Sequence, residues 1–135
     1  EFDPSLPPVL GDADELKQVF LNCIVNAADA IGERHKDGGG ELRLRTRMGN
    51  NFKIKGAEVQ KPSRMIETEI VDNGVGIKTE DLAKVFMPFF TTKEKGYGLG
   101  LAISQRVIHE HGGVIQLDSE EGQGTKFKVL LRSSL

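Results

Sequence analysis

Apolar residues recur at three- and four-residue steps over residues 13–33, where Leu16, Phe20, Cys23, Ala27 and Ile31 share one stripe and Val19 sits at its edge. That period predicts a long amphipathic helix. Asp12 or Asp14 can cap its start, and the polar, glycine-rich stretch 35–40 ends it. The period then changes to two. Residues 41–48 alternate polar and apolar, with Leu42, Leu44 and Met48 facing inward beside Thr46, and residues 65–71 alternate again, with Ile66 and Ile70 inward beside Thr68. The second run ends in the turn signal Asp72-Asn73-Gly74, so the two strands read as a hairpin. Their connection, residues 49–64, is much longer than the roughly two to five residues usual for a hairpin, which points to function or partial disorder.

Further on, Thr79 is placed to cap a short helix over residues 80–85, whereas residues 87–97 follow no clean period and read as irregular. Residues 99–111 form a second long helix, with Leu99, Ile103 and Val107 on one stripe and Leu101 and Ile108 nearly opposite, so both sides need cover. Gly112-Gly113 stops it, and residues 114–117 and 126–131 make two more strands around the turn 121–124. Before all of this, residues 3–11 hold three prolines and should be extended, with a short edge strand near Val9. Helices laid over one face of such a sheet give an α/β (α+β) fold, a two-layer sandwich of a mixed, mostly antiparallel sheet with about three helices on one face.

At 135 residues the chain fits one domain. Its 18 basic and 20 acidic residues leave a net charge of -2, which excludes a general nucleic-acid or anionic-membrane footprint and makes any phosphate binding local. The single Cys23 lies on the apolar stripe, rules out an internal disulfide or a cysteine zinc cage, and suits a reducing compartment. No apolar run approaches the roughly 18 residues of a membrane span, and no signal-peptide pattern is present. A soluble, cytoplasmic domain is expected, and Glu1-Phe2 looks like a cut made within a longer protein.

Three polar sites interrupt this frame. Asn22 and Asn26 are four apart on the first helix, just beyond the apolar stripe. They are either ordinary amides bonded to nearby backbone or two carbonyl oxygens aimed at a cation. Asp72-Asn73-Gly74-Val75-Gly76-Ile77 follows a strand, and its glycines allow close approach of a flat ligand. A carboxylate there can accept from an exocyclic amine, favouring adenine over guanine, although a plain turn has the same composition. Gly96-Tyr97-Gly98-Leu99-Gly100-Leu101 opens the second long helix, where free backbone N–H groups attract phosphate, and Lys93 and Lys95 stand just upstream. A plain flexible loop is the alternative. Neither G-x-x-x-x-G-K-[ST] nor G-x-G-x-x-G occurs, which disfavours the two commonest nucleotide folds. Phe86, Phe89 and Phe90 lie between the two glycine sites and either anchor a lid or belong to the core. His35, His109 and His111 lack metal-ligand spacing.

Taken in this order, the motifs resemble the catalytic, ATP-binding domain of sensor histidine kinases, within the wider family of gyrase, the large heat-shock chaperone ATPases and MutL, and the resemblance covers nearly the whole chain. Residues 22–26 are similar to the family's N box, residues 72–76 to its first glycine box, residues 86–90 to its F box, residues 96–100 to its second glycine box, and Gly124-Thr125-Lys126-Phe127 to its closing element. The resemblance implies a Bergerat-type ATP-binding fold and one catalytic domain over residues 1–135 of a larger kinase. It also implies ATP with Mg²⁺ held by Asn22 and Asn26, and phosphates met by Lys93 and the second glycine box. Asp72, Gly74, Gly76, Ile77 and Thr125 would line the adenine, with Phe90, Thr91, Thr92, Gly96, Gly98, Leu99, Gly100 and Leu101 around the rest of the nucleotide. The implied partners are a histidine-containing dimerisation domain of the same protein, a response regulator and a regulatory protein, with no nucleic acid, no membrane contact and a monomeric isolated domain. Two positions depart from the pattern: Asp29 stands where many relatives carry a basic residue, and Tyr97 where a small one is common. The long 49–64 connection and the run Asn26-Ala27-Ala28-Asp29-Ala30 look like the nitrogen-regulation, NtrB-like subgroup.

Two activities are compatible with such a site, a phosphoryl donor to histidine and an ATP-hydrolysing clamp of the chaperone and MutL type. The clamp relatives place a glutamate at the first N-box position, where this chain has Asn22. An amide cannot act as the general base for water, which favours the kinase. His109-Glu110 is superficially like an acceptor motif but lies near the end of the helix after the second glycine box, where the family has no acceptor.

Overall fold

The computed structural model describes residues 1–49, 65–91 and 100–134. Its elements are α1 (Ala13–Arg34), β1 (Leu42–Gly49), β2 (Met65–Asp72), a single 3-10 turn (Thr79–Asp81), α2 (Gly100–Glu110), β3 (Val114–Glu120) and β4 (Gly124–Arg132). The four strands form one sheet in the order β1-β2-β4-β3, and every pairing among the described residues is antiparallel. Two-layer packing is as expected, whereas a mixed sheet and a third α-helix are absent among the described residues.

Asp12 is the cap of α1: its carboxylate accepts the N–H groups of Asp14 and Glu15, each at 3.0 Å. At the other end the N–H of His35 closes on the Ile31 carbonyl at 2.8 Å. The core lies between the helices and one sheet face, where Val19, Cys23 and Ala27 of α1 meet Ile70, Phe127, Val129, Leu131 and Ile115, with Val107 and Ile108 of α2. Strand register builds this face in rows, Leu44 opposite Ile70, Ile70 opposite Phe127, and Phe127 opposite Leu117. A slip of one residue would turn the whole set to the other side. Where a short edge strand was expected, Val9 makes a single isolated antiparallel bridge to Ser133, just past β4, and no strand forms.

Two expectations are corrected, and a third feature goes beyond the sequence reading. Thr79 does not cap a helix over 80–85: the residue in the cap position is Lys78, it makes no side-chain cap bond, and only one 3-10 turn forms. The inward face of α2 is Leu101, Ser104, Val107 and Ile108, while Ile103 is half exposed. Periodicity missed this because a hydroxyl occupies a core position; Ser104 is fully buried and donates to the Gly100 carbonyl one turn back at 2.7 Å. Finally, the far face of β2 is not solvated. Met65, Glu67 and Glu69 are buried there, the two carboxylates being paired across strands with Arg47, Lys126 and Lys128.

Candidate functional site

Asn22, Asn26 and Ala30 succeed one another at four-residue steps, so they form one row about 12 Å long on α1. Each end of that row touches a different glycine site. At the first end, Asn22 lies against the start of α2: its Nδ2 donates to the Gly100 carbonyl and to Ser104 Oγ, both at 3.4 Å. A side chain at Gly100 would come 3.7 Å from the Asn22 amide carbon. At the other end the Ala30 carbonyl accepts the N–H of Val75 at 3.2 Å. Gly74 is pressed so close that a Cβ would sit 2.5 Å from the Ala30 carbonyl carbon, so only glycine fits. One helix face therefore carries the expected magnesium ligands and spans the gap between the two glycine sites.

The second cluster forms where β2 ends beside β4. Asp72 pairs with Thr125 across the strands, and both are buried. Asp72 Oδ1 accepts the Gly74 N–H at 2.8 Å. Burial pushes the Asp72 carboxyl above its ordinary range, and the backbone N–H groups of Gly74 and Thr125 pull it part of the way back. Gly76 has φ +72° and leaves no room for a Cβ, which would stand 2.1 Å from the Glu120 carbonyl oxygen. The Gly122 N–H reaches the Val75 carbonyl at 2.7 Å, locking the β3–β4 turn to the Asp72 loop. An open cleft of about 400 Å³ lies here, and Asp72, Ser119, Gly124, Thr125 and Lys126 are among the residues lining it.

Two residues of this cluster escaped the sequence reading. Ser119 accepts the Ile77 N–H at 2.8 Å and contacts Thr125 Oγ1 at 2.9 Å. Arg34, the last residue of α1, directs Nη1 to the carbonyls of Asn73 (2.9 Å), Gly74 (3.4 Å) and Gln123 (3.2 Å). A polar residue at the end of a strand and a cation at a helix C-terminus are both common, so neither carries a signal without the fold.

The aromatic run divides. Phe86 packs on the core, whereas Phe89 is largely exposed and holds φ +68°, a left-handed conformation uncommon for a large side chain. Phe90 is half-buried and Thr91 exposed. Leu101 packs against the core. Thr92, Lys93, Gly96, Gly98 and Leu99, and with them Lys95 and Tyr97, lie outside the described residues.

The donor set suits magnesium better than a metal that needs a protein cage. No group of three or more His, Cys, Asp or Glu side chains converges among the described residues. Asn22 is half-buried, and among the described residues its Oδ1 accepts an exposed Gln18 amide at 3.1 Å, a partner that water can replace. Hard amide oxygens with water and phosphate completing the shell fit Mg²⁺. Two of the three histidines serve the fold: His35 Nε2 bonds the Asn73 carbonyl at 2.9 Å, and His111 Nε2 accepts the Asp12 N–H at 3.0 Å.

Several sensor kinases are similar to this chain. The chain is 44% identical over 135 residues to the sensory histidine kinase/phosphatase NtrB of Rhizobium meliloti, covering 98% of this chain and 34% of that protein. It is 40% identical over 131 residues to the signal transduction histidine-protein kinase AtoS of Escherichia coli, covering 97% of this chain and 19% of that one. Among solved structures, the catalytic domain of histidine kinase ThkA superposes with a TM-score of 0.72 at 29% identity, covering 98% of this chain and 76% of that one. The mycobacterial sensor histidine kinase MprB gives 0.69 at 30% identity, covering 98% and 80%. The chain spans about a third of the length of NtrB. With its residues 11–135 matching the family model, the chain belongs to the histidine kinase-, DNA gyrase B- and HSP90-like ATPase family.

Proposed function

We propose that residues 1–135 are a single ATP-binding catalytic domain that donates the γ-phosphoryl group of ATP to a histidine on a separate dimerisation domain of the same protein, for onward transfer to a response regulator. The observation that carries this reading is the row Asn22-Asn26-Ala30, which joins the α2 N-terminus to the Asp72 loop along one helix face. Adenine would lie in the cleft at Asp72 and Thr125, and the triphosphate would run along α1 toward Gly100. Asn22 and Asn26 would hold Mg²⁺, which when bound supplies neutralisation of phosphate charge. The chain's own contribution is positioning: a carboxylate that accepts from the base, glycines that admit the ring, and helix N–H groups near the phosphates.

Asn22 favours phosphoryl transfer over an ATP-driven clamp. Its amide orients groups but takes no proton from water, so hydrolysis without an acceptor should be slow. The kinase names of the relatives support the same choice. No helix among the described residues is long and apolar enough to cross a membrane, in keeping with a cytoplasmic domain whose partners are proteins. The deciding experiment mixes the chain with γ-labelled ATP, with and without the dimerisation domain of its parent protein. Label on histidine only when that domain is present is the expected result; rapid release of free phosphate in its absence would favour the clamp.

A further inference from the structure

Ser119 stands directly opposite Thr125 in the β3–β4 pair, and three segments meet at its hydroxyl. The Ile77 N–H donates to Ser119 Oγ at 2.8 Å, the Gly124 carbonyl lies 2.9 Å away, and Thr125 Oγ1 lies 2.9 Å away. A serine hydroxyl has one proton and two acceptor positions. A carbonyl oxygen can only accept, so the Ser119 proton goes to Gly124. The Ile77 N–H fills one acceptor position of Ser119, and the other is left for the proton of Thr125. Thr125 is thereby turned with its O–H toward Ser119 and its lone pairs free for the cleft that both residues line.

We infer that Ser119 is a positioning residue for base selection, holding Thr125 as a hydrogen-bond acceptor beside Asp72. This rests on the adenine reading of Asp72 given above. Two adjacent acceptors match a 6-amino group or a water that bridges to it, and both oppose a 6-oxo group, which is itself an acceptor. Released from Ser119, the Thr125 hydroxyl can rotate and donate, so the site should tolerate a 6-oxo base better.

The test measures dissociation constants of magnesium ATP and magnesium ITP by equilibrium titration for the wild type and for Ser119→Ala, Ser119→Thr, Thr125→Val and Asp72→Asn. Loss of one oriented hydrogen bond changes affinity by about fivefold, so the ITP/ATP ratio should fall about that much in Ser119→Ala and in Thr125→Val. Ser119→Thr, which keeps a hydroxyl, should restore it. A packing role for Ser119 would weaken both nucleotides equally; an unchanged ratio in Ser119→Ala overturns the inference. If that variant does not fold, Thr125→Val decides by the same ratio. Asp72→Asn separates the two levels of argument: weakened ATP binding there with an unchanged Ser119→Ala ratio refutes only the role of Ser119, whereas unchanged ATP binding in Asp72→Asn refutes the adenine reading as well.

Discussion

Gly124 lies so close over Asp72 that a Cβ at position 124 would stand 2.0 Å from the Asp72 carbonyl oxygen, and its φ of +137° is one that L side chains rarely adopt. Both constraints involve backbone, so no side chain can swing aside to relieve them. Gly124→Ala should cost about 2–4 kcal/mol from strain and overpacking together. A lower urea midpoint at unchanged slope checks this, and ATP affinity should fall with it because Asp72 and Thr125 are the groups displaced.

Gly32 provides the opposite case. It lies inside α1, and an added methyl group there would have nothing within 4 Å. Gly32→Ala should therefore stabilise the domain by up to about 1 kcal/mol through helix propensity alone, and leave ATP binding unchanged. A thermal melt that does not rise would show that the end of α1 already frays in the native state.

Arg34 ties together the two loops that flank Asp72 and Thr125, since its Nη1 reaches Asn73, Gly74 and Gln123. Arg34→Ala should cost about 1–2 kcal/mol, as expected for hydrogen bonds to a charged donor at an exposed position. All three contacts come from Nη1; a lysine ammonium has the donors but a shorter, more freely rotating stem than the preorganised guanidinium, so Arg34→Lys should recover only part of the loss. Melting temperature and ATP dissociation constant, measured on both variants, check the ordering.

How much of this was legible in sequence follows from what each residue does. α1, its cap and the strand faces were readable because burial there follows a clean period, as at Cys23 and Ala27 or at Ile70. The face of α2 was misread because Ser104, a polar residue, is buried and satisfied by its own helix. The burial of Glu67 and Glu69 was not legible for a related reason: they are buried because cations on neighbouring strands meet them, a pairing set by register rather than by local pattern. The site divides in the same way. Asn22, Asp72 and the glycines stood out through type and spacing, whereas Ser119 and Arg34 act through partners 42 and 39 positions away, Ile77 and Asn73.

Asp72 and Glu67 share β2 but should titrate with opposite effects on stability. Burial raises the Asp72 carboxyl above its ordinary 3.8. Below 3.8 it is protonated folded or unfolded and contributes nothing; as pH rises through the window between 3.8 and the raised value, the folded state gains a buried anion and loses stability. ATP affinity should rise through that same window as the carboxylate forms, and Asp72→Asn should flatten both dependences. Glu67 is the reverse. Burial alone would raise its carboxyl, but the Arg47 guanidinium and then Lys128 outweigh that and hold it below its ordinary 4.5. Its contribution is therefore fully present above 4.5 and is lost as pH falls through the lowered value. Arg47→Met should expose the imbalance directly: the fully buried Glu67 keeps Lys128 at 3.6 Å, outside hydrogen-bonding distance, and the loss of its main partner should cost about 1–3 kcal/mol. Acid titration of stability in Glu67→Gln and Asp72→Asn, compared with the wild type, should shift the curve in opposite directions. Shifts of the same sign would show that the Arg47–Glu67 pair does not offset its own desolvation.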